Sequence, residues 1–279
     1  MPVIDFHMHL LCYPSPVFAY MDIMPVRDRD QYLAFVEHYS HPGNFVKLLE
    51  ENGVDYGVLL AEYVPLGYGS ISNETVGAFC ADHPQLLPFC TMNPYLHDNP
   101  AAYLRRLCAE YDFRGIKLYP TYNHYYPQEA RLYPVYAFAE EMGLPILFHT
   151  GSSTIRNTRI KYGNPVFWDD IAVDFPGLKI VLAHGGRGPW YKEAMTMVAL
   201  HENVYIDISG LPVRKLPDYY PELARLAHKF VFGTDWPQVT IKDSITRLRN
   251  LDLPRAAQEN ILGNNAARLL ATATRCVAP

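Results

Sequence analysis

Eight short apolar runs of strand length alternate with stretches of helical pattern along this 279-residue chain. Most of the runs are apolar throughout, which is typical of parallel strands buried on both faces of a sheet. Eight strand–helix units in this length predict a single domain, residues 1–279, with a (β/α)8 TIM barrel fold. A doubly wound open sheet is the alternative, but no Gly-x-Gly-x-x-Gly turn follows the first run. The predicted strands lie at residues 3–10, 54–61, 86–92, 114–119, 145–149, 178–184, 204–208 and 230–235.

The segments between these runs carry the spacing of amphipathic helices. The stretch 11–41 is different, because it is rich in Pro, Tyr and Met and has no clean period. Long excursions inside a compact domain are more often functional than idle, so we expect 11–41 to be a loop with some helix that covers the substrate. Helices are predicted at residues 43–52, 74–81, 98–111, 130–142, 165–175, 189–201, 222–228, 242–250, 254–262 and 264–273.

Composition and charge exclude several classes of function. With 49% hydrophobic and 19% charged residues, the chain has the make-up of a globular protein. The net charge of −5 and the scattered lysines and arginines do not resemble a nucleic-acid-binding surface. No apolar run is long enough to cross a membrane, so we expect a cytoplasmic protein that acts on a small molecule. Homo-oligomerisation stays open. The five cysteines form no Cys-x-x-Cys pair, so any metal is expected on nitrogen and oxygen ligands.

The first run, VIDFHMHL, contains two histidines two residues apart. Since successive side chains on a strand point to opposite faces, His7 and His9 are expected on one face and Phe6 and Met8 on the other. Two adjacent imidazoles on a strand make a poor apolar surface and a good pair of metal ligands. The alternative is a pair of ordinary polar residues at a strand end.

Other polar residues lie within or at the end of later predicted strands. Because the carboxyl ends of barrel strands form one mouth, we expect these side chains to converge there. Imidazole and carboxylate ligands favour one or two divalent ions, Zn first and then Mn, Fe or Ni. Such a metal lowers the pKa of bound water, and a carboxylate beside it can accept and return the proton. The converging set is His7, His9, Lys117, His149, His184 and Asp235, with Asp235 as the proton carrier.

These motifs resemble the amidohydrolase superfamily, in its amidohydrolase-related (amidohydrolase 2) branch of metal-dependent hydrolases. That branch also holds enzymes similar to aminocarboxymuconate-semialdehyde decarboxylase. The resemblance spans almost the whole chain and implies a distorted (β/α)8 barrel. It also implies that His7, His9 and Asp235 hold the first metal, and that His149 and His184 are further ligands or act on the substrate. The resemblance rests on His-x-His in the first strand and on GIKLYP, FHTG, AHGG, GTDWP and ILGNNAARLL.

The chemical state of Lys117 distinguishes two versions of such a metal site. As a neutral amine it can add carbon dioxide and bridge two metals, with His149 and His184 on the second; in the superfamily this arrangement goes with hydrolysis. In decarboxylase-like relatives there is one metal, with His149 as a ligand and His184 as the acid/base. Lys117 could instead bind a substrate anion as an ammonium group, or face outward.

The first functional hypothesis is a hydrolase in which metal-bound hydroxide attacks an ester, lactone, amide or related bond. The second is a non-oxidative decarboxylase or hydratase of an unsaturated or aromatic carboxylic acid, and the third is a non-catalytic binding barrel. Arginines after strands five and six suit a substrate carboxylate, and aromatic residues after the strands suit a cyclic substrate. His124, after strand four, is a further candidate. The arginines are Arg156, Arg159 and Arg187, and the aromatic residues are Tyr119, Tyr122, Trp190 and Trp236.

Overall fold

The structure is a computed structural model that describes residues 1–12, 24, 26, 28–65, 69–155 and 157–271. Within these residues, strands and helices alternate as the apolar runs predict, and most predicted strands differ from the observed ones by one or two residues at their ends. The strands are β1 (Ile4–His9), β2 (Tyr56–Leu60), β3 (Glu62–Val64), β4 (Gly69–Ile71), β5 (Leu86–Thr91), β6 (Gly115–Leu118), β7 (Ile146–His149), β8 (Ile180–Ala183), β9 (Val204–Asp207) and β10 (Phe230–Val231).

The α-helices follow the strands and cover the outside of the sheet. They are α1 (Arg29–Tyr39), α2 (Pro42–Glu51), α3 (Asn73–Cys80), α4 (Pro100–Glu110), α5 (Pro120–Asn123), α6 (Tyr133–Glu141), α7 (Asp169–Asp174), α8 (Tyr191–Leu200), α9 (Leu216–Tyr219), α10 (Ile241–Arg249), α11 (Arg255–Glu259) and α12 (Asn265–Ala271). A π-helix, Asn260–Asn264, joins the last two. Among the described helices, none is long and apolar enough to cross a bilayer.

Two of the predicted helices begin as 3-10 turns, and a third predicted helix is not formed. Those predicted at 130–142 and 165–175 open with the 3-10 turns Ala130–Leu132 and Pro165–Trp168. The segment predicted as a helix at 222–228 forms turns and then the 3-10 turn Ala227–Lys229. The apolar side chains of this segment are buried by the turns without a regular helix.

Eight strands form one parallel sheet in the order β1-β2-β5-β6-β7-β8-β9-β10. The segment after β10 continues along β1 and brings the two ends of the sheet together. There, Phe6 N–H donates to Phe232 O at 2.8 Å, and Asp235 N–H donates to His7 O at 2.9 Å. The carboxylate of Asp5 also accepts bonds from the backbone N–H and hydroxyl of Thr234, at 2.9 and 2.6 Å. The predicted (β/α)8 barrel is therefore confirmed as a nearly closed barrel.

The two faces of β1 do not alternate as expected. The register against β2 shifts between Asp5 and Met8. Phe6 packs with strand residues such as Leu147 and Val181 in the cluster inside the barrel, whereas Met8 packs in the outer cluster beneath the helices. The expectation that Phe6 and Met8 share a face is wrong because this irregularity inserts a step into the strand. It lets Phe6 fill the barrel below the two histidines.

Two elements near the barrel mouth were not predicted in this form. The short strands β3 and β4 pair as an antiparallel hairpin beside the mouth. Part of 11–41 is helix α1, and residues 13–23, 25 and 27 lie outside the described residues. The rings of Phe35 and Tyr39 on α1 pack against Trp236, with centroids 5.8 and 5.0 Å away. Helix α1 therefore lies over the segment that carries Asp235.

Candidate metal centre

Three side chains at the barrel mouth form one cluster of metal-ligand character. His7 and His9 come from β1, and Asp235 follows β10. One ligand atom from each lies within 4.8 Å of the other two. Asp235 Oδ1 is 3.4 Å from His7 Nε2 and 3.0 Å from His9 Nε2, and all three residues are buried. Two imidazole nitrogens and a carboxylate oxygen converge on a single point, as a catalytic divalent ion requires.

Each histidine of the cluster is oriented by a carboxylate on its other ring nitrogen. His7 Nδ1 lies 2.6 Å from Asp207 Oδ2, and His9 Nδ1 contacts Glu62 Oε1. A proton on Nδ1 leaves Nε2 free to bind a metal in both rings, since a neutral imidazole carries one N–H. Carboxylates behind ligand histidines are the usual way of fixing the ring and raising its basicity. Asp207 and Glu62 thus hold the two imidazole rings in place from behind.

The charges in the cluster are strongly coupled. Burial alone would lower the pKa of His9, but the carboxylates of Glu62 and Asp235 raise it to about 9. Burial alone would raise the pKa of Asp235, but His184, His9 and His7 hold it well below its usual range. For His7, burial and the nearby Lys117 outweigh Asp207 and lower the pKa to about 4. In the metal-free protein, His9 therefore carries the proton that a metal must displace.

Two of the mouth residues sit in backbone conformations that side chains rarely adopt. Asp235 has a φ of 64° and His184 a φ of 61°. Gly185 and Gly186, which follow His184, also have positive φ values of 49° and 74°. Left-handed conformations cost a non-glycine residue about 1 kcal/mol or more and persist where the surrounding structure enforces them. The strain turns both side chains into the mouth, with His184 directly after β8 and Asp235 after β10.

His149 and His184 lie beside the cluster. Their ring centroids are 4.7 Å apart, and His184 is 5.0 Å from His7. Burial lowers the pKa of both rings well below the usual range, reinforced by Lys117 and Arg187 at His149 and by Arg187 at His184. His149 Nε2 is buried and has no hydrogen-bond partner among the described residues. It is therefore a donor nitrogen available to a metal or a substrate.

Lys117 points into the mouth and not outward. It is 0% exposed, and its Nζ has no hydrogen-bond partner among the described residues. Burial lowers its pKa to about 8, partly opposed by the charges of Asp207 and Asp235. The ammonium lies 5.1 Å from the centre of the Tyr119 ring. The outward orientation is excluded, while the carbamate and the anion-binding ammonium both remain compatible with this position.

A cavity of about 20 Å³ joins these groups. A water molecule needs roughly 10–15 Å³ on this measure, so the cavity holds an ion or a water but not an aromatic ring. Tyr122 closes one side by a hydrogen bond of 2.7 Å to Ser153, and Tyr119 donates to Ala61 O at 3.1 Å. Besides the six predicted mouth residues, the lining includes Tyr119, Tyr122, Ser153, Ile155, Arg187 and Gln238.

Several predicted substrate contacts lie elsewhere. Trp236 is buried among Phe35, Tyr39 and Phe45, and neither it nor Trp190 lines the cavity. Of the other candidates, Arg159 and His124 are also absent from the lining. Arg159 is exposed, His124 contacts Asn157 O at 2.9 Å, and Arg156 lies outside the described residues. In contrast, Arg187 lines the cavity, and two of its guanidinium nitrogens donate to Ser152 O at 3.1 and 2.8 Å.

The sequence reasoning missed Glu62, Asp207 and Ser209, which bind the histidines from behind. Asp207 ends β9, so it had the same signal as the predicted mouth residues, a polar side chain at the end of an apolar run. Ser209 follows it by two residues. Glu62 had the same signal, since it comes directly after the apolar run 54–61, but its own strand of three residues is too short to display a period.

The donor set fits a divalent metal. Three ligand atoms are directed at one another, namely His7 Nε2, His9 Nε2 and Asp235 Oδ1. The two imidazole rings are held from behind by carboxylates. The unpartnered His149 Nε2 lies beside them. Histidine and carboxylate suit Zn²⁺, Mn²⁺ and Fe²⁺ alike, so the ligands define a site without selecting the ion.

The amidohydrolase family model matches residues 4–272. No curated protein is matched by this sequence. Among solved structures, an uncharacterised TIM-barrel protein from Bordetella bronchiseptica is 25% identical with a TM-score of 0.75, over 98% of this chain and 99% of that one.

Two solved enzymes share the fold at lower identity. Dihydroxybenzoic acid decarboxylase from Polaromonas sp. JS666, with bound manganese and the inhibitor 2-nitroresorcinol, is 18% identical with a TM-score of 0.70, over 97% of each chain. A probable 2-pyrone-4,6-dicarboxylic acid hydrolase from Acinetobacter baumannii, with citric acid bound, is 17% identical with a TM-score of 0.67. That match covers 97% of this chain and 100% of the hydrolase.

Proposed function

Because the chain belongs to the amidohydrolase family, we propose that it is a metal-dependent, non-oxidative decarboxylase of a small aromatic or unsaturated carboxylic acid. The observation that carries the proposal is the pairing, in one cavity, of a single three-ligand cluster with two cationic side chains, Lys117 and Arg187. One metal and two cations suit an organic acid. The similarity to a dihydroxybenzoic acid decarboxylase with bound manganese supports the same reaction.

His7, His9 and Asp235, with His149 as a further ligand, would hold a divalent metal, and that metal would supply Lewis-acid polarisation of the bound acid. The Lys117 ammonium and the Arg187 guanidinium bind and orient the acid by charge-assisted hydrogen bonds. Since the cavity is smaller than an aromatic ring, entry of the substrate requires Tyr122 and the segment around Ser153 to separate. Closure afterwards excludes water from the reacting carbon.

His184 is the proposed acid/base. A proton taken up at Nε2 is passed to the substrate carbon as the bond from that carbon to the carboxylate breaks. The electron pair of the broken bond stays on the carbon and forms the new C–H bond, and carbon dioxide leaves. Asp235 and the bound acid stabilise the imidazolium that carries the proton.

A hydrolase is the second candidate, favoured by the position of Lys117 in the cavity with a pKa of about 8. An amine with that pKa can add carbon dioxide to form a carbamate ligand for a second metal. In that reaction Asp235 accepts the proton of the attacking water. The similarity to a probable 2-pyrone-4,6-dicarboxylic acid hydrolase supports this alternative.

The test is a substrate panel assayed with the manganese-loaded protein. It contains dihydroxybenzoic acids, other aromatic acids and 2-pyrone-4,6-dicarboxylate, and it measures carbon dioxide release and ring opening separately. We expect release of carbon dioxide from at least one aromatic acid and loss of that activity in His184→Gln. The matched control is His228→Gln, an exposed histidine outside the cavity. Ring opening of the lactone without carbon dioxide would favour the hydrolase, and metal binding without turnover of any member would favour a binding protein.

A further inference from the structure

Ser209 lies behind the metal cluster at a point where three polar residues meet. It is fully buried and follows β9 by two residues. Its hydroxyl oxygen is 2.6 Å from Asp207 Oδ2, 2.8 Å from His7 Nδ1 and 3.1 Å from His184 Nδ1. Its backbone carbonyl oxygen lies 2.9 Å from the same His184 nitrogen. One residue thus contacts both a metal-cluster histidine and the proposed acid/base.

The hydrogen atoms around Ser209 can be assigned by elimination. An ionised Asp207 only accepts, so the Ser209 hydroxyl donates its single proton to it. His7 Nδ1–H donates to the same carboxylate, at 2.6 Å. Once its proton is donated, the Ser209 hydroxyl oxygen can only accept hydrogen bonds from other groups. The Ser209 carbonyl is also an acceptor.

His184 Nδ1 therefore faces two acceptors from one residue. An unprotonated nitrogen there would leave both without a donor and place lone pairs against each other in a buried site. Nδ1 must carry the proton, and a neutral imidazole then has none on Nε2. Since Nδ1 points to Ser209 at the back of the site, Nε2 is left on the cavity side.

We propose that Ser209 is a positioning residue that fixes the Nδ1–H tautomer of His184, ties its ring to the His7–Asp207 pair and presents an unprotonated Nε2 to the substrate. What Nε2 does there rests on the proposed function, but the tautomer does not. The same residue that steadies a metal ligand therefore also sets the acid/base in its working orientation.

The tautomer can be measured directly. Two-bond ¹⁵N–¹H correlation spectra of zinc-loaded protein with ¹⁵N-labelled histidine, recorded at about pH 8.5 where an ordinary histidine is neutral, report which ring nitrogen carries the proton. His184→Gln identifies the His184 signals by their loss. We expect the proton on Nδ1 and an unprotonated Nε2. A proton on Nε2 overturns the proposal, whichever reaction the protein catalyses.

Ser209→Ala tests the role of the hydroxyl. Alanine keeps the backbone carbonyl as an acceptor for Nδ1, so we expect a minor population with the proton on Nε2 of His184. We also expect a kcat lower by about 10- to 100-fold, the range of losses for groups behind a metal site, and a KM within about twofold of wild type. Ser244→Ala is the matched control, because Ser244 on α10 is also buried but donates to the backbone oxygen of Thr240, the residue before that helix. It should leave both the spectrum and kcat unchanged.

The outcomes of this pair of experiments are distinct. A lower kcat in Ser209→Ala with the wild-type His184 spectrum would assign the residue a merely structural role and overturn the proposal. If Ser209→Ala does not fold, the wild-type spectrum still decides. If no aromatic acid is decarboxylated but the Nδ1–H tautomer is found and changes in Ser209→Ala, the proposed function fails while the positioning role of Ser209 stands.

Discussion

The two sides of the cavity differ in how their polar atoms are satisfied. On the side of β1, His7 and His9 each have a carboxylate behind the ring and Asp235 in front of it. On the side of β6 and β7, Lys117 Nζ and His149 Nε2 are just as deeply buried but have no hydrogen-bond partner among the described residues.

Buried polar groups are normally paired, and an unpaired one costs about 1–3 kcal/mol. The β1 side is therefore preorganised, since carboxylates hold both of its rings from behind. The β6 and β7 side offers Lys117 Nζ as a buried donor that the carboxylate of a bound acid can pair. We infer that the first side, together with His149, holds the metal and that Lys117 on the second side receives the substrate or, in the hydrolase alternative, becomes a carbamate beside a second metal.

Asp235→Asn breaks the preorganised side and has the largest expected effect. It removes the anionic metal ligand and the negative charge that stabilises protonated His184, so kcat should fall by about 10³-fold or more. The fold should remain, because the asparagine keeps the shape of the side chain. Steady-state kinetics, metal content per chain and circular dichroism measure these three properties.

Asp243→Asn is the control for that variant, since Asp243 lies on α10 outside the cavity. It should behave as wild type. Near-normal turnover in Asp235→Asn would exclude Asp235 as an essential metal ligand and as the charge partner of His184.

Lys117→Met tests the unpaired side. If the ammonium binds a substrate carboxylate, its loss should lower kcat/KM by about 10- to 100-fold, the worth of a hydrogen bond between charged groups. Metal content should stay at one per chain. Lys229→Met is the matched control, because this buried lysine donates to backbone carbonyls of His201 and Glu202 outside the cavity. It should cost stability but not turnover.

The pH dependence separates the two roles of Lys117. With a pKa of about 8, the side chain is an ammonium below that pH and a neutral amine above it. Anion binding should therefore weaken, and KM rise, as pH increases through 8, and Lys117→Met should lose this dependence. A carbamate needs the neutral amine, so activity and metal content that increase above pH 8 on addition of bicarbonate would support the hydrolase instead.

The barrel and most of its mouth could be predicted because they depend on simple periodicity. Parallel strands buried on both faces are continuous apolar runs, so His149, His184 and Asp235 stand out where the runs end. The orientation of Lys117 could not be predicted, because a run such as GIKL is buried on both faces and has no polar side to mark its register. The direction of its side chain follows from the pairing of β6 with β5 and β7.

Features that depend on contacts between distant segments were missed. The step in β1 comes from its register against β2, and nothing in VIDFHMHL marks it. Glu62 meets His9 through the short hairpin of β3 and β4. Trp236 was expected at the substrate, but Phe35 on α1 covers it, and the position of that helix was beyond what the aperiodic stretch 11–41 could indicate.

Glu62→Gln should have the smallest effect and measures how far the carboxylates prepare the metal side. Loss of the charge behind His9 weakens metal binding, by about tenfold and at most about 100-fold. In wild type, the proton on His9 competes with the metal below its pKa of about 9, so affinity should rise by about tenfold per pH unit up to that point. Glutamine removes a negative charge that raises this pKa, so the variant should reach its plateau at a lower pH. Metal titrations should therefore show a larger loss of affinity relative to wild type at pH 9 than at pH 6. At pH 6 the weaker competition from the His9 proton in the variant offsets part of the loss, whereas at pH 9 only the lost orientation and basicity of the ring count. An equal deficit at both would mean that Glu62 does not control the His9 proton, and that the metal side owes its order to Asp207 and Asp235 alone.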